Sequence, residues 1–139
     1  MTEAQAVEAI LETWKAGWDI LHPADCPVTF ENEAFTSVSQ WARVTIVHTD
    51  RRQMTLGPVG SRRFETRGRV AIQLFADLDQ GIGRTATLNG DARAVLEGKT
   101  IVVGNENVAL FGGATTNLPT DGRWSMSVVN VPFFYTEVR

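Results

Sequence analysis

The stretch Arg62-Arg63-Phe64-Glu65-Thr66-Arg67-Gly68-Arg69-Val70-Ala71-Ile72-Gln73-Leu74-Phe75-Ala76 alternates two kinds of side chain. Phe64, Thr66, Val70, Ile72 and Leu74 share one parity, with Gly68 among them; Arg63, Glu65, Arg67, Arg69 and Gln73 share the other. Successive side chains of a strand point to opposite faces, so this is a strand dry on one side and wet on the other. An antiparallel sheet with one covered face produces that pattern.

Working outward, Gln40–His48 is rich in β-branched and aromatic residues and reads as a strand. Thr49–Ser61, with Gly57-Pro58 and a short strand around Met54 and Leu56, reads as a long arm or hairpin joining it to the next strand. Residues 26–35 form a short strand or extended loop broken by Pro27. Ahead of them, Thr2 and Gln5 have capping-box spacing, and Val7, Ile10, Leu11, Trp14 and Trp18 line one helical face. Gly17 and Pro23 are expected to close that helix, and its two tryptophans to anchor the core.

Downstream, Asp79 can cap a second helix running to Leu96, with Gly98 as its stop. Ile82, Leu88, Ala92, Val95 and Leu96 share one arc of it, and Gly81, Gly83 and Gly90 make it dependent on packing. Strands follow at Thr100–Gly104 and Val108–Phe111. A loop opened by Gly112-Gly113 then leads to an Asp121-Gly122 turn. The last strand is expected to face Trp124, Met126 and Val128 inward and Ser125 and Ser127 outward, with Pro132 marking a bulge or an edge. The order α-β-β-β-α-β-β-β describes an α+β fold: a mostly antiparallel sheet packed against an N-terminal helix and a second helix.

Length and composition bound the rest. With 139 residues, 43% of them apolar and 21% charged, the chain reads as one globular domain over residues 1–139. A lone cysteine, Cys26, allows no internal disulfide and suits a reducing compartment. Met1-Thr2-Glu3-Ala4 lacks the basic-then-apolar pattern of a signal peptide, and no apolar run is long enough for a membrane helix. The expectation is a soluble cytosolic product without membrane contact.

Catalytic motifs are weak. Gly81-Ile82-Gly83-Arg84-Thr85-Ala86 fits G-x-G-x-x-A, but Asp77 and Asp79 would repel a pyrophosphate and no further βαβ unit follows. Small residues at a strand-to-helix corner account for it better than a nucleotide cofactor. Gly57-Pro58-Val59-Gly60-Ser61 lacks the Lys-Ser/Thr and the helix of a P-loop. His48 and Asp50, two apart on one strand, could offer two metal ligands, with only His22 and Cys26 as further candidates, and Asp25 works against a Cys26 thiolate. No catalytic residue, cofactor or metal site is assigned.

Charge is the stronger signal. The net charge is −3, yet residues 1–39 carry seven acids against Lys15, and residues 40–76 carry seven arginines against Asp50 and Glu65. Arg63, Arg67 and Arg69 project from one sheet face beside Glu65, while Arg51, Arg52 and Arg62 bracket the arm. Three readings stand: a solvated face with local ion pairs, pairing with the acidic region of another copy, and contact with phosphate. A single-strand nucleic-acid platform is not evident, because the aromatics lie on the apolar parity and are not interleaved with the arginines.

Four stretches together carry a family resemblance. They are Trp14-Lys15-Ala16-Gly17-Trp18; Trp41-Ala42-Arg43-Val44-Thr45-Ile46; Arg67-Gly68-Arg69-Val70-Ala71-Ile72-Gln73-Leu74-Phe75 leading to Gly81-Ile82-Gly83-Arg84; and Val131-Pro132-Phe133-Phe134. In order and spacing the chain resembles the tail terminator (tail-completion) proteins of long-tailed bacteriophages and gene-transfer particles. The resemblance implies a structural virion assembly protein and not an enzyme. It implies subunits that form a homo-oligomeric ring, typically a hexamer, on the tail tube, assembled in the host bacterial cytoplasm. The ring stops tube polymerisation and offers a surface for head-tail joining. Implied partners are the protein itself, the major tail tube protein and a head-connector or neck protein, with DNA only as cargo passing through the ring. By analogy, Arg51, Arg52, Arg62, Arg63, Glu65, Arg67 and Arg69 are candidates for a subunit or tube interface, and Gln53, Met54, Leu56, Gly57 and Pro58 for a tube or lumen contact. Two other classes remain open: a nucleic-acid-binding module using the arginine face, and a nucleotide-binding enzyme using the Gly81–Ala86 corner.

Overall fold

The structure is a computed structural model that describes residues 1–23, 26–30, 40–77, 81–121 and 124–139. In chain order the elements are α1 (Glu3–Leu21), β1 (Val28–Phe30), β2 (Gln40–Gln53), β3 (Arg63–Asp77), α2 (Gly81–Leu96), β4 (Thr100–Val103), β5 (Glu106–Leu110), β6 (Ala114–Asp121) and β7 (Trp124–Val138). The expected α+β class, element order and mostly antiparallel sheet are found. One strand was not anticipated: the segment read as a Gly112-Gly113 loop continues into β6, which pairs with β7 from Ala114↔Asn130 to Asp121↔Trp124. Conversely, Met54 and Leu56 form no separate strand, because β2 itself runs on to Gln53. The expected Asp79 cap, the end of the 26–35 segment and Gly122 lie outside the described residues.

The sheet order is β1-β2-β3-β7-β5-β4, with β6 also on β7. Its backbone is three long strands in unbroken antiparallel succession, β2 on β3 and β3 on β7. Only β1 is parallel, to β2. β7 shares its far side between two partners, β5 near Phe133–Tyr135 and β6 near Trp124–Asn130. Pro132 stands where one partner gives way to the other, so neither a bulge nor an edge is required. Its carbonyl accepts from the Phe111 N–H at 2.9 Å, so its own nitrogen, which lacks a hydrogen, points to that same seam.

Both helices pack on one face. In β3, Thr66, Gly68, Val70, Ile72 and Leu74 are buried, while Arg63, Arg67 and Arg69 are exposed, as the alternation predicts. α1 opens with the expected capping box: Gln5 N–H donates to Thr2 Oγ1, and the Thr2 N–H to Gln5 Oε1 at 2.9 Å. Trp14 and Trp18 are fully buried and stacked with ring centroids 4.8 Å apart, and Trp18 Nε1 donates to the Cys26 carbonyl. Gly17 does not end this helix. A Cβ there would lie 2.8 Å from Val95 Cγ1, so the glycine lets α1 and α2 approach closely. The helix stops at His22, ahead of Pro23.

The last strand reverses the expected parity. Ser127 is fully buried under the helices with Val129, Val131, Phe133 and Tyr135, while Met126 and Val128 take the other face. α2 explains it. Thr85 and Asn89 are buried beside Leu88, Ala92, Val95 and Leu96, and Ser127 Oγ donates to Asn89 Oδ1 at 2.5 Å. Thr85 Oγ1 and Ser125 Oγ lie 3.3 Å apart. A buried hydroxyl is tolerated when a partner satisfies it, so two serines can occupy the helix side of a strand.

Gly68 sits where three strands meet: a Cβ there would fall 2.3 Å from the Val47 carbonyl and 2.7 Å from Phe133 Cζ. Gly90, within α2, has open space instead. Gly68→Ala is therefore expected to destabilise the fold by about 1–3 kcal/mol or more through overpacking. Gly90→Ala should stabilise it by up to about 1 kcal/mol through helix propensity. Thermal unfolding of the two variants, with Tm falling in the first and rising in the second, checks both.

Tyr135 is the sole tyrosine, and burial, partly offset by its hydrogen bond with Thr66, raises its pKa. The folded chain thus holds its proton above the unfolded value of about 10. Stability is complete below that pH and declines as pH rises through the folded value. Spectrophotometric titration of phenolate should show one tyrosine ionising late or together with unfolding.

Candidate functional site

Two helices leave the opposite face of the sheet without a covering element among the described residues. Register places Arg43, Thr45 and Arg52 of β2, Arg63, Glu65, Arg67, Arg69, Ala71 and Gln73 of β3, and Val128, Asn130 and Phe134 of β7 on this outer face. Six of the seven site residues expected from sequence lie on or beside it. Glu65 holds their centre: its carboxylate takes the Arg67 Nε–H at 2.5 Å and lies 3.8 Å from Arg52. Arg69 lines a shallow depression of about 600 Å³ with Thr45, Ala71, Gln73, Leu118 and Val128.

Arg51 is the exception. A register shift between His48 and Asp50 inserts one extra residue, so Arg51 pairs with Thr66 and turns to the helix side. There it donates to Thr66 Oγ1 at 2.8 Å, pairs with Glu137 at 3.0 Å and lies over the Phe64 ring. The same bulge corrects the metal expectation. His48 and Asp50 no longer share a face: His48 lies near Tyr135 and Glu3, and Asp50 is exposed opposite Arg67. His22 pairs with Asp91 at 2.7 Å and Cys26 is buried. Among the described residues, no three metal-ligating side chains converge.

The separation of aromatics from arginines is also corrected. Trp41 and Phe75 stack on the outer parity at 4.0 Å with the Arg43 guanidinium over the Trp41 ring, and Arg67 reaches over Phe134. The sequence places the aromatics on the apolar parity, but strand ends carry apolar residues on both parities, and these rings fall on the outer one. The Gly81–Ala86 corner opens directly as helix α2. Arg84 Nε donates to Gln40 Oε1, and Thr85 is occupied by Ser125, so these side chains are engaged in packing the helix on the sheet.

The arm beyond Gln53 is exposed but ordered. Met54 N–H donates to the Arg63 carbonyl at 2.7 Å, Arg63 N–H to Thr55 Oγ1 at 2.9 Å, and Arg62 Nε to the Gly57 carbonyl at 2.9 Å. Arg62 and Arg139 exchange backbone hydrogen bonds at its base. Gly57 and Gly60 have positive φ, which the turn requires. This scaffold holds apolar side chains out in water: Leu56 is 94% and Val59 83% exposed.

The candidate site is therefore an outward-facing, arginine-bearing sheet with a hydrogen-bonded projecting arm. No helix of the described residues is long and apolar enough to cross a membrane. No curated protein sequence matches significantly. A solved structure of a protein whose name states no function has the same fold, with a TM-score of 0.70 at 15% identity, covering 100% of this chain and 96% of that one. The sequence matches the phage tail terminator proteins over residues 4–133, and the chain belongs to that family of structural virion-tail components.

Proposed function

We propose that this chain is the subunit of a homo-oligomeric ring, six copies in the family's usual form, that caps the phage tail tube. The ring ends tube polymerisation and presents its far side to a head-connector or neck protein, with DNA passing through its opening. Family membership over residues 4–133 carries this reading. The geometry agrees with it: one sheet face and one hydrogen-bonded arm are left for protein contacts among the described residues, and the Thr85–Ser125 and Asn89–Ser127 pairs are engaged in packing α2 on the sheet. A cap acts by fitting the tube on one side and failing to fit it on the other, which shape and charge accomplish without a bond being made.

Under this reading Arg52, Arg62, Arg63, Glu65, Arg67 and Arg69, with Gln53, Met54, Leu56, Gly57 and Pro58 of the arm, make the contacts to neighbouring tail subunits. Arg51 braces the base of the arm through Thr66 and Glu137. Arginine suits such a surface because its planar fork pairs carboxylates at an interface and it is more weakly hydrated than lysine.

Electron microscopy of the purified protein, alone and with growing tail tubes, tests the function: rings and tubes of arrested length are expected, and uncapped tubes that keep growing would refute it. Arg69→Glu should weaken tube capping while leaving Tm within a degree or two, since its side chain is exposed and has no ion pair among the described residues. Capping should also weaken as salt rises from about 0.05 M to about 1 M, because exposed charge pairs are screened.

A further inference from the structure

We infer that the arm of one subunit seats in the groove between α1 and β4 of the next. This rests on the ring reading above and narrows it, since it assigns the arm to a sister copy and not to the tube. The groove encloses about 450 Å³, with Glu8, Ala9 and Glu12 of α1 on one wall and Ile101, Val102 and Val103 of β4 on the other. Its two halves match the arm's chemistry.

The first half is apolar. Among the described residues β4 is the outermost strand on its side of the sheet, and Val102 is 71% exposed. An unpaired strand edge that carries exposed apolar side chains is a surface built to receive a partner. The arm tip supplies one: Met54, Leu56 and Val59 are held in water on a hydrogen-bonded hairpin. Because the tip is already ordered, docking it costs little conformational entropy.

The second half is ionic. Glu8 and Glu12 stand one helical turn apart, where like charges repel, and neither has an ion-pair partner among the described residues. Arg52 and Arg63 lie on the same face at the base of the arm; Arg52 has one long ion-pair contact, 3.8 Å to a Glu65 carboxylate already held by Arg67, and Arg63 has no ion pair among the described residues. Two arginines flanking an apolar tip complement two glutamates flanking an apolar strand.

The two patches are distinct regions of one molecule. The arm leaves the sheet beyond the Arg63↔Val138 pair of β3 and β7, whereas the groove lies at the β4 edge, joined to β7 through β5. A contact between unlike patches is heterologous, and repeating it by a closing rotation generates a ring.

Charge exchange tests this. Arg52→Glu/Arg63→Glu and Glu8→Arg/Glu12→Arg should each remain monomeric in sedimentation velocity at concentrations where the native chain assembles, with at least a tenfold weaker association. An equimolar mixture of the two should reassemble, since each reversed arm then meets a reversed groove; so should a chain carrying all four changes. Melting curves and the Arg52→Lys/Arg63→Lys variant, expected to assemble, separate lost docking from lost folding. If either reversed variant assembles like the native chain, or if the mixture stays monomeric, the inference falls. If the charge variants assemble normally while Leu56→Ser/Val59→Ser abolishes tube capping alone, the arm belongs to the tube, and the ring reading survives without this contact. A native chain that stays monomeric with and without tubes overturns both.

Discussion

Two helices can cover only one face of a sheet built from three strands of 14 and 15 residues, and most of this molecule follows from that limit. The covered face recruits the stacked Trp14–Trp18 pair, the aliphatic side of α2 and the inward parity of β3 and β7. Among the described residues the other face has no helix to meet, and it carries arginines, short polar side chains and aromatic rings with guanidinium groups over them. Such a surface is stable in water and still offers broad area to another protein.

The close contacts that hold the two layers are made where side chains are missing. Gly17 brings α1 against Val95, and Gly68 lets the Phe133 ring lie over β3 beside the Val47 carbonyl. Near Gly68 the β2 bulge adds its extra residue, swinging Arg51 to the helix side and leaving Arg52 outside. The bulge therefore determines which arginine braces the arm and which is free for an interface. From there β2 and β3 stay in the sheet to the Gln53↔Phe64 and Arg63↔Val138 pairs, and the connection beyond them is a turn fixed by hydrogen bonds from Arg62, Arg63 and Ser61. The result is an apolar tip held out in water on a charged stem.

Local signals were legible in the residues wherever one periodicity acted alone. The capping box at Thr2 and Gln5, the apolar face of α1, the stop at Gly98 and the alternation of Phe64 to Leu74 each depend on neighbours a few positions away, and each is found. The projection of Arg63, Arg67 and Arg69 from one face follows from the same period of two. The readings that failed depend on partners distant in sequence. Ser127 turned inward because Asn89 of α2 waits above it, and β6 formed because β7 had a vacant side beyond Leu110.

The sequence by itself thus determined both helices and the strands around Gln40–His48 and Arg62–Ala76, which parity of β3 is dry, and how charge divides between the acidic first third and the arginine-rich middle, because these are properties of adjacent residues and of side-chain solvation. Only the tertiary structure decided the parity of β7, the role of Gly17, the split of the arginines at the Thr49 bulge, and the placing of the Glu8–Glu12 wall against the edge of β4. Each of those requires knowing what lies across a sheet or beneath a helix, and long-range contact is settled by the packing of the whole core.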